Sequence, residues 1–231
     1  QTEERMDEYK LYASTAETCG VPYNFMTPEE IKKKWPLINT EDLKGALYHN
    51  TDGYINPADV TMAMAKGARQ LGVKIERKWQ ADAFNWTGTH WDVTCTKMVE
   101  KGGNLVSSDE QIVVTAEHVV TASGNHAQRT AKMLGIKIPA VPVEHQFIVM
   151  EKDPSLVEYR ESGNLEHPVI RDADAQSYVR EERGGWILGV YEKDAPARFE
   201  HGVPDSFRAD LFPLALERIE EQYMAMIHRI T

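Results

Sequence analysis

The sequence predicts a mixed α/β (α+β) fold, and three observations carry that expectation. Helix-forming stretches with clear start and stop residues run directly into apolar extended segments over the first part of the chain. Glycine pairs at Gly102-Gly103 and Gly184-Gly185 join strand-like runs too closely for anything but antiparallel hairpins. Residues 141–192 are a near-continuous series of short segments rich in valine, isoleucine and aromatic side chains.

Residues 3–18 hold good helix formers, and Gly20 supplies a C-terminal stop. Thr27-Pro28-Glu29-Glu30 reads as a capping box, with Thr27 at the cap, Pro28 in the first turn and Glu30 reaching back. Pro36 ends that short helix. Residues 46–55 read as extended, broken by a turn at Asp52-Gly53. Asn56-Pro57-Ala58-Asp59 opens the next helix, with Val60, Met64, Gly67, Ala68 and Leu71 near one face and Gly72 as the stop. A strand is expected at 73–79, since a helix passing through one glycine into a strand is usual in α/β units. Trp91, Val93 and Cys95 alternate with polar neighbours, so an antiparallel meander turning at 101–104 is expected to be inserted here.

The segment IVVTAEHVVTASG ends in small residues before the helical NHAQRTAKML. Small side chains at such a strand end let backbone N–H groups approach a nucleotide. On composition alone, close strand–helix packing is the preferred explanation. The strand series then follows as VPVEHQFIVM, HPVIRD, SYVREER and WILGVYE, with a hairpin expected at Gly184-Gly185. His145 and Tyr178 are expected inside these strands, where a polar group is held in one orientation. From Asp205 onward Phe207, Leu211, Leu214, Leu216, Ile219 and Tyr223 suggest a final helix.

The formal charge of −10 and pI near 5.3 argue against a nucleic-acid backbone as partner, which needs a basic face. No apolar run reaches the length of a membrane-spanning helix. Cys19 and Cys95 have no CxxC spacing, so neither a disulfide scaffold nor a zinc site is signalled, and a reducing compartment is expected. His49, Asp52 and His90 lack metal-ligand spacing. Asp172 and Asp174 read as a solvated loop after a strand. The chain begins and ends beside helix-like patterns, and it is expected to be an internal piece of a longer protein.

The segments ASTAETCGVPYNFMTPEEIKKKWPL, DGYINPADV, VVTASGNHA, PVEHQFIVM and RDADAQSYVREERGGWILGVYE, in that order, resemble the FAD-dependent amine oxidoreductases of the D-amino-acid oxidase superfamily. The dimethylglycine and sarcosine dehydrogenase branch is the most similar. The resemblance implies a partial FAD-binding Rossmann-like domain plus an antiparallel-sheet substrate domain. Residues 1–56 would then be a helical segment and first strand of the substrate domain, and 57–138 part of the FAD-binding domain with the inserted meander. Residues 139–204 would be the substrate-binding sheet and 205–231 a helix.

The activity implied is FAD-dependent oxidative demethylation of an N-methylated amino acid such as dimethylglycine. Sarcosine or another secondary amine is an alternative substrate, and a non-catalytic ligand-binding module on the same scaffold is an alternative of another class. His145 and Tyr178 match substrate-facing residues, and a proton-accepting imidazole beside a phenol suits an amine that must react neutral. Ala81, where the family usually has valine, matches a backbone contact to the adenine. Ala122, Ser123 and Gly124 match the turn near the FAD diphosphate, with Ser123 replacing a usual alanine or glycine. Alternation places Arg180 on the Tyr178 face, where its guanidinium suits a substrate carboxylate.

The family's GxGxxG motif and flavin-linking histidine have no counterpart in this sequence. Without that cradle, the segment by itself is expected not to hold FAD tightly. The electron acceptor is open between oxygen and an electron-transfer flavoprotein, and folate would enter through a module outside this chain. The cytoplasm is the expected location, with the mitochondrial matrix the alternative.

Overall fold

A computed structural model describes residues 1–204, 207 and 210–230. In chain order its elements are α1 (Glu3–Thr18), β1 (Asn24–Met26), α2 (Pro28–Lys34), β2 (Ala46–Tyr48), α3 (Pro57–Gln70), β3 (Trp79–Trp86), β4 (Trp91–Lys101) and β5 (Asn104–Ala116). They continue with α4 (Ala127–Met133), β6 (Phe147–Val149), α5 (Pro154–Glu161), β7 (Ile170–Asp172), β8 (Ser177–Glu182), β9 (Gly185–Val190) and α6 (Glu220–Arg229). Two compact units form. The first takes Gln1–Tyr54, Glu144–Pro196 and Phe212–Thr231, and the second takes Ile55–Val143 and Ala197–Leu211. Residues 197–204, expected with the substrate-binding sheet, therefore cluster with the second unit.

The first unit is built on a four-stranded antiparallel sheet in the order β6-β9-β8-β7. Strand alternation gives this sheet two different faces. Ile148, Leu188, Val179 and Ile170 lie in one cross-strand row and pack on Trp35, Ile38, Leu156, Ile219 and Met226. The opposite face carries Phe147, Gly189, Tyr178 and Arg171 in the adjacent row.

Helix α2 begins as its sequence predicts. The Glu30 N–H donates to Thr27 Oγ1 at 3.3 Å, and the Thr27 N–H donates to Glu30 Oε2 at 2.8 Å. Helix α5 was not anticipated. Its cap, Asp153, accepts from the Ser155 N–H at 2.9 Å and from the Trp186 indole N–H at 2.7 Å, so one carboxylate ties the helix to the sheet. Beneath it His167 is buried between Tyr159 and Trp35, with ring centroids 4.2 and 5.1 Å away. Its Nδ1 is 2.5 Å from Glu181 Oε1.

The hairpin between β8 and β9 turns on Arg183 and Gly184, at φ 52° and 83°, rather than on Gly184-Gly185. Two left-handed residues are what a tight two-residue hairpin demands. Gly185 already belongs to β9 and is glycine for another reason: a Cβ there would sit 2.2 Å from the Glu151 carbonyl oxygen.

The second unit contains the expected meander as the antiparallel sheet β3-β4-β5. Gly102 and Gly103, at φ 60° and 81°, close its β4–β5 hairpin. Thr96 and Met98, two residues apart on β4, are both buried, and the register shift between them is taken up by extra residues 108–110 on β5.

Five expectations are corrected. Of the strand expected at 73–79 only Trp79 is paired, and the strand expected over IVVTAEHVVTASG ends with β5 at Ala116; a strand needs a ladder partner, and none pairs with 73–78 or 117–124 among the described residues. Helix α3 forms with its Asn56 cap but buries none of its residues among those described. His145 precedes β6 instead of lying within it. Of the helix expected from Asp205, positions 205, 206, 208 and 209 lie outside the described residues, and 210–215 are not helical. Pro213 accounts for that, having no N–H and disfavouring helix at the residue before it; α6 starts only at Glu220.

Candidate functional site

The open face of the first unit's sheet is dominated by one aromatic placement. Tyr178 and Gly189 are direct cross-strand partners, and Phe147 lies beyond Gly189 in the same row. A Cβ built on Gly189 would fall 1.9 Å from Tyr178 Cζ and 2.2 Å from its hydroxyl oxygen. Only glycine at 189 lets the phenol lie flat across the neighbouring strand. Tyr191, two residues further along β9's direction, brings its ring centroid 5.6 Å from that of Tyr178. Burial pushes the Tyr178 pKa upward, with Tyr191 adding to the effect, so the phenol keeps its proton at neutral pH.

His145 lies at the entrance to β6 with its side chain 40% exposed. Its Nδ1 is 3.8 Å from Glu192 Oε2, and that carboxylate is almost wholly buried. Arg218 holds Glu192 through Nε and Nη2, each at 2.9 Å, and reaches Glu144 Oε1 with Nη1 at 2.7 Å. Two buried carboxylates thus share one guanidinium beside the imidazole. Composition gave no hint of this cluster, because its members come from positions 144, 192 and 218. His145, just before β6, and Tyr178, on β8, belong to the same unit, but no hydrogen bond or ring contact links them.

Arg180 shares the Tyr178 face as alternation predicts. Its guanidinium is engaged, donating to Glu182 Oε2 at 2.7 Å and the Glu181 carbonyl at 2.8 Å, and lying 4.4 Å over the Tyr54 ring. The charge expected to meet a substrate carboxylate therefore already has a carboxylate partner. Asp172 and Asp174 are likewise ion-paired rather than merely solvated, Asp172 with Arg229 at 3.1 Å and Asp174 with Arg5 at 2.9 Å. Another arginine faces Tyr178 across the ladder. Arg171 is its direct cross-strand partner on β7, and its guanidinium lies 4.9 Å over the Tyr191 ring. Only the register reveals this, since nothing in HPVIRD fixes which residue it faces.

The residues matched to FAD lie in the second unit. Ala81 is inside β3, opposite Cys95, rather than after a strand. The ladder skips Asp82 between Ala81 and Ala83, and such a bulge re-aims the residue it leaves unpaired. Asp82 Oδ1 accepts from Gln80 Nε2 at 3.1 Å and is 3.6 Å from Arg129 of α4, while the buried Oδ2 has no hydrogen-bond partner. Ala122 and Ser123 lead into a short turn at Gly124–His126. Gly124 has φ 54°, and the position its Cβ would occupy is open, so its backbone can be approached closely. Ser123 Oγ is 3.0 Å from Thr130 Oγ1. An orphaned acceptor and an unobstructed glycine turn are compatible with a polar, phosphate-bearing cofactor. Among the described residues no group of His, Cys, Asp and Glu is placed to hold a metal ion, and no helix is long and apolar enough to cross a membrane.

The family model for FAD dependent oxidoreductases, DAO, matches residues 1–230, and the chain belongs to that family. It is 32% identical over 238 residues to a mitochondrial dimethylglycine dehydrogenase of Rattus norvegicus, covering 99% of this chain and 25% of the relative. Identity to a mitochondrial sarcosine dehydrogenase of Homo sapiens is 28%, covering 98% of this chain and 23% of the relative. The chain thus spans about a quarter of the length of these curated relatives. Among solved structures, L-proline dehydrogenase from P.horikoshii superposes with TM-score 0.69 at 20% identity, covering 99% of this chain and 55% of that one. That likeness shows the shared fold, mixed helices and antiparallel sheets.

Proposed function

We propose that this chain is part of a flavoenzyme that oxidatively demethylates an N-methylated amino acid, dimethylglycine first and sarcosine as the alternative. The observation that carries the proposal is the open sheet face on which Tyr178 lies over Gly189. The relatives, named for dimethylglycine and sarcosine dehydrogenation, support the substrate class. Ala81 and the Ala122–Ser123–Gly124 turn would hold FAD through backbone contacts, with Asp82 Oδ2 available to a hydroxyl. When bound, FAD supplies the acceptor for the hydride equivalent from the N-methyl carbon, and the resulting iminium hydrolyses to the demethylated amine and formaldehyde.

The chain's own residues prepare the amine. An ammonium nitrogen has no lone pair to assist hydride loss, so its proton must go first. The partly exposed His145 imidazole accepts it at Nε2, and the Glu192 carboxylate beside Nδ1 stabilises the imidazolium so formed. Tyr178, which retains its proton, donates a hydrogen bond, and its ring with those of Tyr191 and Phe147 excludes water from the N-methyl groups. The names of the relatives, which are mitochondrial, support a mitochondrial location, the alternative to the expected cytoplasm.

The test is His145→Ala in the full-length, FAD-loaded protein. Dimethylglycine oxidation is expected to fall well over ~10-fold. An undiminished rate removes His145 from the site, and wild-type protein that reduces its flavin with no N-methyl amine favours the non-catalytic binding module.

A further inference from the structure

The arginines of the first unit divide unequally. Arg5, Arg160, Arg180, Arg183, Arg218 and Arg229 each lie within ion-pair distance of a carboxylate. Among the described residues, Arg171 alone in that unit makes no ion pair. Its guanidinium is nevertheless placed, lying 4.9 Å over the Tyr191 ring. An aromatic face restrains a guanidinium without neutralising it, because the ring carries no net charge. A ring contact of this kind uses none of the guanidinium's N–H donors as hydrogen-bond partners of a carboxylate, so the fork remains available to an anion. The arrangement therefore holds a full positive charge in one place with no internal partner for it.

Its location gives that charge a use. Arg171 and Tyr178 are register partners, so their side chains leave the sheet side by side on the open face. Tyr191 touches both, with its ring beneath the guanidinium and 5.6 Å from the Tyr178 ring. A small amino acid spans a few ångströms from carboxylate to amine nitrogen, which suits a bidentate grip at one end and an aromatic wall at the other.

We propose that Arg171, placed over the Tyr191 ring, is the residue that receives the substrate carboxylate, making the site selective for N-methylated amino acids over N-methylamines without an acid group. The proposal rests on the demethylase function proposed above and assigns Arg171 the role that Arg180, already paired with Glu182, is not free to fill.

The test uses the full-length, FAD-loaded protein with two substrates, dimethylglycine and its amide, and one unreactive ligand, trimethylglycine. Arg171→Met is expected to raise the dissociation constant of trimethylglycine by titration calorimetry about 10- to 100-fold, the loss of a charge-assisted hydrogen-bond pair. The ratio of kcat/KM for dimethylglycine over its amide is expected to collapse towards about 1, because the amide never had an acid group to recognise. Arg171→Lys keeps charge and stem but loses the fork; it is expected to weaken trimethylglycine at least ~3-fold and carries the test if Arg171→Met does not accumulate. Trimethylglycine affinity and substrate ratio both at wild-type values in either variant overturn the proposal while leaving the demethylase function standing. Failure of wild-type protein to oxidise either amine overturns the demethylase function, and the trimethylglycine titration still decides the role of Arg171.

Discussion

Tyr178 lies across the α-carbon of Gly189 so closely that any side chain at 189 would occupy the space of its ring. Two strands are thus coupled through one contact that glycine alone permits. Gly189→Ala should be kind to the backbone, since φ at 189 is not in the left-handed region and alanine is no worse than glycine in a strand. The phenol must swing away instead. Stability is expected to change by no more than about 1 kcal/mol in urea unfolding while amine oxidation falls about tenfold or more. Unaltered oxidation by a normally folded Gly189→Ala protein would show that the ring position is irrelevant.

Tyr178→Phe separates ring from hydroxyl. The ring still covers Gly189, so only the hydrogen bond is lost, and kcat is expected to fall about 10- to 100-fold with little change in melting temperature. Stopped-flow reduction of the flavin by dimethylglycine measures it.

Arg218 neutralises two nearly buried carboxylates, Glu144 and Glu192. Arg218→Met strands both charges, and because the arginine is itself partly exposed the cost is expected near 2–3 kcal/mol, below that of breaking a fully buried pair. Equilibrium unfolding in urea of wild-type and variant protein provides the comparison.

His167 is enclosed by Tyr159 and Trp35, and this burial lowers its pKa, the Glu181 carboxylate opposing only in part. Arg160 on α5 and the nearby Glu166 act on it in opposite directions. The folded pKa lies below the unfolded value, so the unfolded chain binds the proton more readily. The stability is therefore complete above the unfolded value of about 6.5 and declines as the pH falls from there through the folded pKa. Asp42, held low chiefly by its hydrogen bond from Arg229, gives a separate loss only below about pH 4. Melting temperature is expected to drop from about pH 7 to about pH 5 in wild-type protein, and His167→Gln should flatten that interval.

What the sequence discloses of this fold follows a physical division. Local signals are legible: the Thr27–Glu30 capping box, the Asn56 cap and the Gly102-Gly103 hairpin all depend on residues a few positions apart, and all form. Pairing across distance is not. The 73–79 and 119–123 segments have strand composition, yet strand structure depends on a neighbour that composition does not reveal. The site divides in the same way. Tyr178 could be placed within a strand and on one face with Arg180, whereas Arg171, Tyr191 and the Arg218 cluster gain their meaning only from register and long-range contact. Arg180 shows the converse, because alternation found its face correctly but its partner, Glu182, neutralises it.

The two-residue turn at Arg183 and Gly184 joins strands whose opposite faces carry hydrophobic core and open aromatic surface. Parity along β9 relative to β8 is consequently a shared reading frame for stability and chemistry. Single substitutions on either face can be tolerated separately, so core and specificity are free to drift independently. One residue inserted between Glu182 and Gly185 would instead bring Leu188 beneath Tyr178, one deleted would bring Val190 there, and either would turn Gly189 towards the core. Point substitution is open to this hairpin as a route of divergence, and insertion or deletion is closed.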